Sequence, residues 1–142
     1  MPNTVVNLKK FPVRAFTLLE SLLTLAITSF LVLLVSGGIS SVYQQVQEQL
    51  FFASFESLYR HSQKLSNAQQ AQETLSITST AVKTSKDTLP LPETVSVAKG
   101  YTVDFSSSGG NSSLQKIQFR CQGKTVTYQL YIGSGRYKKS IS

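Results

Sequence analysis

The chain has 142 residues and a mass of 15.6 kDa, with 41% hydrophobic residues, 15% charged residues and a net charge of +7. This length fits one domain, and the composition excludes both a multidomain enzyme and a charge-driven disordered chain. Cys121 and His61 are single residues of their types, which leaves no internal disulfide and no Cys/His zinc cluster. We therefore predict a protein that is not an enzyme and that uses no metal and no cofactor.

Residues 1–15 form a basic segment that contains Lys9, Lys10 and Arg14 and no acidic residue. Such a segment stays on the cytoplasmic side of a membrane. Residues 16–39 follow as an apolar run, which as a helix measures about 36 Å and can cross a hydrocarbon core of about 30 Å. The sequence thus predicts a single-pass membrane protein with its N-terminus inside and its head outside.

Glu20 stands near the start of this apolar run, and no other charge occurs from Ser21 to Gln47. An ionised carboxylate in such a place costs a few kcal/mol unless it reaches the interface or a cation. One explanation is that the side chain snorkels to the headgroups near the helix N-terminus, where the macrodipole favours an anion. The other is that Glu20 is functional, as intramembrane ionisable residues are by default.

The sequence RAFTLLE at residues 14–20 resembles the class III signal of type IV pilins and pseudopilins. In that signal a basic leader ends in a small residue, Phe follows, and Glu is the fifth residue after the cut. The small residue here is Ala15, where most of the family has Gly. The resemblance implies that a membrane-embedded prepilin peptidase cuts between Ala15 and Phe16, and it makes Phe16 a candidate for N-methylation.

The cut gives Glu20 a role in assembly. It creates an α-amino group on Phe16, which the Glu20 carboxylate of a neighbouring subunit can neutralise when apolar helices pack side by side. Because the attraction strengthens in a low dielectric and either charge alone is costly there, the pair would set the axial register of a filament.

A rival interpretation takes residues 9–35 as a secretory signal, with Ser36, Gly37 and Gly38 as a small-residue cleavage region and a soluble secreted product. The order of basic, apolar and small residues fits this interpretation. Against it stand Glu20 at the start of the apolar run and an apolar core at or beyond the usual length of roughly 7–15 residues.

Residues 40–73 contain no Pro or Gly and are predicted to continue the helix as an amphipathic half outside the membrane. The apolar residues at helical spacing are Val46, Leu50, Phe51, Phe55, Leu58 and Leu65. An aromatic stripe of Phe51, Phe52, Phe55 and Tyr59 is predicted to pack under the protein's own sheet, in preference to forming a partner surface.

Residues 74–142 are predicted to form a β-rich head. The β-like runs are residues 75–80, 94–97, 101–105, 115–121 and 126–132, with residues 136–139 as an edge strand or tail. The run LPLP at residues 89–92 cannot be a central strand. Residues 115–121 and 126–132 form the most secure hairpin. We predict an α+β, type IV pilin-like fold, in which a long N-terminal helix packs on a small antiparallel β-sheet.

Basic residues cluster near the C-terminal end among Tyr128, Tyr131 and Tyr137. They are Arg120, Lys124, Arg136, Lys138 and Lys139. Basic residues interleaved with aromatic ones are candidates for DNA contact. A solvated face, or attraction to an anionic envelope, is the alternative explanation.

Cys121 lies on the apolar face of its predicted strand. We expect a buried small hydrophobe there, with an intermolecular bridge as the alternative.

Four segments together resemble the ComGD-type minor pseudopilins of Gram-positive competence systems. They are AFTLLES at residues 15–21, QLFF with FESLYR at 49–60, GGNSSL at 109–114, and YQLYIG at 128–133. The resemblance implies a minor subunit that helps initiate or cap the pilus that takes up extracellular DNA in natural transformation.

The implied partners are other minor pseudopilins, the major competence pilin, the prepilin peptidase, the assembly platform and its ATPase, the cell membrane and DNA. Two alternatives stay open at this point. One is a pseudopilin of a type II secretion-like system, and the other is a secreted or anchored binding module.

Overall fold

The computed structural model describes residues 13–142, with side chains from residue 17 onward. One helix is followed by eight strands in this part of the chain. They are α1 Val13–Gln69, β1 Glu73–Ile77, β2 Ala81–Lys83, β3 Thr88–Pro90, β4 Ser96–Val97, β5 Tyr101–Phe105, β6 Lys116–Cys121, β7 Lys124–Leu130 and β8 Tyr137–Ile141. The chain divides between Val42 and Tyr43 into two compact units.

The first unit holds the apolar part of α1. Its large hydrophobic side chains between Leu18 and Ile39 are 51–73% exposed. Hydroxyls within it donate to backbone carbonyls of the preceding turn, as that of Thr28 does to the Thr24 carbonyl at 2.8 Å, so polar groups are satisfied inside the helix. By length and composition, this is the one helix in residues 17–142 that could cross a membrane.

The second unit begins with the rest of α1, which ends earlier than the predicted residue 73. Gln70 has a φ of 52°, in the left-handed region. Its N–H donates to the Asn67 carbonyl at 3.4 Å, and the Ala71 N–H donates to the Ser66 carbonyl at 3.2 Å. This pair of bonds is the Schellman arrangement that closes a helix. Because Gln, and not Gly, occupies the left-handed position, the sequence carried no stop signal there.

The strands of residues 73–141 form two four-stranded antiparallel sheets, where the sequence predicted one small sheet. The first has the order β3-β2-β1-β5 and the second the order β4-β6-β7-β8. Pro90 lies in β3, at the edge of the first sheet, as its missing N–H requires. Lys138 and Lys139 lie in β8, at an edge of the second sheet, where lysines discourage further pairing.

The core of the second unit is aromatic, and it confirms that the helix stripe packs under the protein's own sheets. Phe55 of α1 lies 5.1 Å from Phe119 of β6 and 5.0 Å from Tyr128 of β7, between ring centroids. Tyr59 lies 4.9 Å from Phe105 of β5. All three pairs meet edge to face. Each such pair contributes about 0.5–1.5 kcal/mol of stability beyond that of the apolar area it buries.

Several predicted boundaries and burial assignments were wrong. The predicted run 75–80 lies in β1 only up to Ile77, and β1 begins earlier, at Glu73. The strand ends there because the N–H of Thr78 donates to the Ala81 carbonyl and turns the chain into β2. Only Ser96 and Val97 of the run 94–97 are in a strand. Ile132 lies beyond the end of β7 and is exposed.

The buried face of the helix also differs from the predicted one. Val46 and Leu50 are exposed, whereas Ser62 and Ser66 are buried. Buried residues recur every three or four positions, at 48, 52, 55, 59, 62 and 66, and so form one face of the helix. Polar residues occupy part of this face, so position on the helix and not hydrophobicity determines which side chains are buried.

Candidate functional site

The predicted processing site lies at the edge of the described residues. Ala15 and Phe16 are within the backbone of α1, and the basic residues Lys9 and Lys10 of the predicted leader lie outside the described residues. Cleavage at Ala15 and methylation of Phe16 therefore stay predictions.

Glu20 lies on the exposed surface of the apolar helix. Its nearest apolar neighbours in sequence, Leu19 and Leu22, are 66% and 58% exposed, so its carboxylate interrupts an apolar surface. The Thr24 hydroxyl donates to the backbone carbonyl of Glu20 at 3.0 Å, a bond that does not involve the carboxylate. An anion in this setting is stable when a cation comes to it from outside the helix.

Lys124, one of the predicted DNA-contact residues, forms an ion pair with the helix. Its ammonium lies 3.0 Å from a carboxylate oxygen of Glu48, whose side chain is only 5% exposed. Lys124 precedes buried Val126 by two positions in β7, so strand alternation places it on the inner face of the sheet, toward α1.

Lys139 is also committed to the helix. Its ammonium lies 2.8 Å from the Glu56 Oε1 atom, and the Tyr128 hydroxyl donates to the same oxygen at 2.9 Å. Burial raises the pKa of the Glu56 carboxyl, but the hydrogen bonds from Lys139 and Tyr128 outweigh it and hold that pKa below its ordinary value. Burial, together with the bond to Glu56, raises the pKa of Tyr128 well above its ordinary value.

Arg120 and Lys138 lie on the opposite, outer face of the second sheet. Arg120 is paired in register with Thr125, and Lys138 with Gln129. Both cations are exposed. Arg120 alternates with buried Phe119 in β6, and Lys138 alternates with Tyr137 and Lys139 of the inner face in β8, so neither reaches the helix.

Arg136 lies at a third place, in the turn before β8. Together with Arg60 and Lys64 of α1 it lines a groove of about 490 Å³, whose wall includes Tyr137 and Lys139. The Arg60 Nη2 atom donates to the Tyr137 hydroxyl at 3.4 Å. The five predicted cations thus divide among the inner face, the outer face and this groove, which sequence reasoning had treated as one cluster.

Glycines at the turn bring the groove together. Gly135, with a φ of 61°, lies so close to α1 that a Cβ there would meet the Gln63 side chain and come within 2.8 Å of the Gly109 carbonyl. A Cβ on Gly110 would lie 2.8 Å from the Gly133 carbonyl. Gly109 and Gly110 therefore serve close packing of two turns against the helix.

Cys121 is half-buried at the end of β6, so it is less buried than expected. It packs at the margin of the core. Burial and the nearby Glu48 raise the pKa of its thiol, and Lys124 only partly offsets them. The thiol is therefore protonated and weakly nucleophilic at neutral pH.

Sequence reasoning missed four residues of these arrangements, namely Glu48, Glu56, Arg60 and Lys64. A signal was present for the first two. Lys124 shares its parity with the buried residues of β7, and Lys139 shares its parity with half-buried Tyr137 of β8. Both lysines therefore lie on the inner face, where they need an acid, and only two acids occur between residues 40 and 72. No comparable signal related Arg60 and Lys64 to Arg136.

Comparison with known proteins gives the family. The chain is 38% identical over 141 residues to the competence protein ComGD of Streptococcus pneumoniae (strain ATCC BAA-255 / R6), an alignment that covers 96% of this chain and 88% of that protein. No family model matches the chain, and no solved structure matches it. The helix packed on antiparallel sheets is consistent with a type IV pilin-like fold. The chain therefore belongs to the ComGD family and is a minor pseudopilin of the competence system.

Proposed function

We propose that this pseudopilin is cut between Ala15 and Phe16 by the prepilin peptidase and then joins other minor pseudopilins. The resulting complex initiates or caps the pilus that takes up extracellular DNA, and the major competence pilin is added to it by the assembly platform and its ATPase. The observation that supports this proposal best is Glu20, an acidic residue exposed on an otherwise uncharged apolar helix.

Cleavage and assembly together neutralise the Glu20 charge. A charged side chain at a helix centre costs about 3 kcal/mol of insertion free energy. Cleavage creates the compensating cation, the α-amino group of Phe16, on each subunit. When two apolar helices lie side by side, the Glu20 carboxylate of one subunit neutralises the amine of the next, so the pair sets where along the axis the helices meet.

The orientation follows from the leader. Lys9, Lys10 and Arg14 hold the N-terminus in the cytoplasm, and the head then lies outside, where a pilus subunit is needed. The alternatives of a type II secretion-like pseudopilin and a secreted binding module are not favoured, because the relative is a competence protein.

The N-terminus of the protein purified from competent cells tests the processing step. We expect the mature chain to begin at Phe16, with or without one added methyl group. A chain that begins near residue 39 would contradict the proposal, and so would a precursor that supports normal pili. Ala15→Leu is expected to block cleavage and leave an unshifted precursor on a gel.

Glu20→Ala tests the assembly step. Cleavage at Ala15 should persist, because the peptidase acts upstream of Glu20, but incorporation into sheared pili and transformation should fall. Glu20→Asp keeps the charge and should restore part of both, and Thr24→Ala is a control on the same helix. Normal pili and transformation in the Glu20→Ala strain would contradict the pairing role.

A further inference from the structure

Charge is distributed unevenly over the second unit. Residues 43–69 and 115–142, which hold the outer part of α1 and strands β6 to β8, contain eight Lys and Arg against two Glu. Residues 70–114 contain three Lys against four Asp and Glu. Since both Glu residues of the first set are paired with Lys124 and Lys139, the remaining cations there have no ion pair within residues 17–142. A field this one-sided attracts polyanions.

Three of these unpaired cations line one depression, which we call the basic groove and define by Arg60, Lys64 and Arg136 with Tyr137 in its wall. Arg60 and Lys64 are four residues apart on α1 and so share one helix face. All three cations are exposed. The only acid that lines the groove among the described residues is Glu56, and Lys139 already neutralises it at 2.8 Å.

The fold holds the two walls of the basic groove together. The Gln63 side chain, between Arg60 and Lys64, donates to the Ser134 carbonyl at 3.3 Å and ties the helix to the turn before Arg136. Gly135 permits this close approach because a Cβ there would meet the Gln63 side chain. The Arg60 guanidinium donates one hydrogen bond to Tyr137 at 3.4 Å, and its other N–H groups have no acceptor among residues 17–142.

We infer that the basic groove binds the phosphate backbone of duplex DNA, without sequence preference. Exposed guanidinium and ammonium groups bind phosphate oxygens, and the open groove of about 490 Å³ offers no buried polar set that would read a base edge. The choice of DNA as the polyanion rests on the proposed function in DNA uptake. The site differs from the predicted C-terminal cluster, because Lys124 and Lys139 are occupied and Arg60 and Lys64 come from the helix.

The test is fluorescence anisotropy of a labelled 30-base-pair duplex with the full chain in nonionic detergent, at several salt concentrations. The variant R60A/K64A/R136A removes three cations from the basic groove. Its matched control K83A/K86A/K99A removes three exposed cations from the region of residues 70–114 and changes the net charge equally. Lys139 is left in place, because its loss would strand Glu56.

We expect the groove variant to bind about tenfold more weakly or worse, and the slope of log affinity against log salt to shrink by about 2.7 for three lost phosphate contacts. The control should stay within about threefold of the unchanged chain and keep its slope. R60K/R136K, which preserves the charges, should retain most of the affinity. A second duplex of unrelated sequence should bind within about twofold.

Equal weakening of the groove variant and its control would overturn the inference, because the effect would then follow net charge alone. Unlabelled poly(glycerol phosphate) that competes better than DNA, phosphate for phosphate, would overturn it as well. These outcomes are independent of pilus assembly: a groove variant that is cleaved and incorporated but transforms normally contradicts DNA binding only, whereas failed assembly of Glu20→Ala concerns the proposed function only.

Discussion

The Lys124 ammonium lies 3.0 Å from the Glu48 carboxylate, at a point where the Glu48 side chain is only 5% exposed and that of Lys124 is 39% exposed. The pair joins the second helical turn of the second unit to the start of β7. A nearly buried carboxylate is tolerated when its partner supplies the charge that water would otherwise supply.

Removing Lys124 should therefore destabilise the head. Lys124→Ala leaves Glu48 buried without its cation, and we expect the free energy of unfolding to fall by about 1–3 kcal/mol. Urea denaturation of the chain in detergent measures this change. Lys116→Ala, which removes an exposed lysine from β6, is the matched control and should change stability by less than about 0.5 kcal/mol. Indistinguishable midpoints for the two variants would show that the pair contributes nothing.

The Glu56 carboxyl should make stability depend on acid pH. The pKa of Glu56 in the folded protein lies below its ordinary value of 4.5. The ionised carboxylate therefore stabilises the fold fully above pH 4.5, and this stabilisation is lost as the pH falls through the folded-state pKa. We expect Glu56→Gln to lower stability at about pH 6, and the gap between the two proteins to narrow toward about pH 3. A gap that does not change with pH would contradict this assignment. Thermal unfolding across the range measures it.

Two buried tyrosines should respond in opposite ways to loss of the hydroxyl. Tyr59 is 1% exposed, and its hydroxyl has no hydrogen-bond partner within residues 17–142. Tyr59→Phe should leave stability unchanged or raise it by up to about 1 kcal/mol. Tyr128→Phe should lower it by about 1–2 kcal/mol, because the Tyr128 hydroxyl donates to Glu56 at 2.9 Å. Denaturation midpoints of the two variants give the comparison, and a clear loss in Tyr59→Phe would refute the first expectation.

The Cys121 thiol should react slowly with iodoacetamide at neutral pH. Burial and Glu48 raise its pKa above the ordinary value, so the thiolate is scarce and the rate should climb through a higher pH range than that of a free thiol. Glutathione is the reference. Glu48→Gln removes one of the two causes and should speed the reaction, whereas an unchanged rate would show that burial alone sets it.

Elements that depend on the pattern of neighbouring residues could be predicted from the sequence, and features that depend on contacts between distant residues could not. Residues 101–105 alternate and became β5 with the predicted bounds, because strand alternation is readable over five residues. The helix end was not readable, because Gln70 takes a left-handed conformation that sequence patterns assign to Gly or Asn. The division into two sheets depends on pairing between distant strands, such as β1 with β5, which no local pattern specifies.

The candidate sites show the same limit. Glu20 stands out in the sequence as one acid in an apolar run, and its role in assembly stays a prediction. The sequence identified the C-terminal cations by their number, but it predicted one cluster where the structure distributes them over different faces. Sequence proximity joined Arg136, Lys138 and Lys139, whereas the fold sends Lys138 to the outer face and brings Arg136 to Arg60 across the turn.

Glu48 and Glu56 of α1 form ion pairs with the second sheet, Glu48 with Lys124 of β7 and Glu56 with Lys139 of β8. The two carboxylates are eight residues apart, a rise of about 12 Å along the helix. A slip of the sheet along the helix by one turn, about 5.4 Å, would break both ion pairs together and leave the Glu48 carboxylate without its cation. Axial shear between the head's sheet and its own stretch of helix is therefore resisted at two points at once. A pull on the sheet moves that stretch of helix with it.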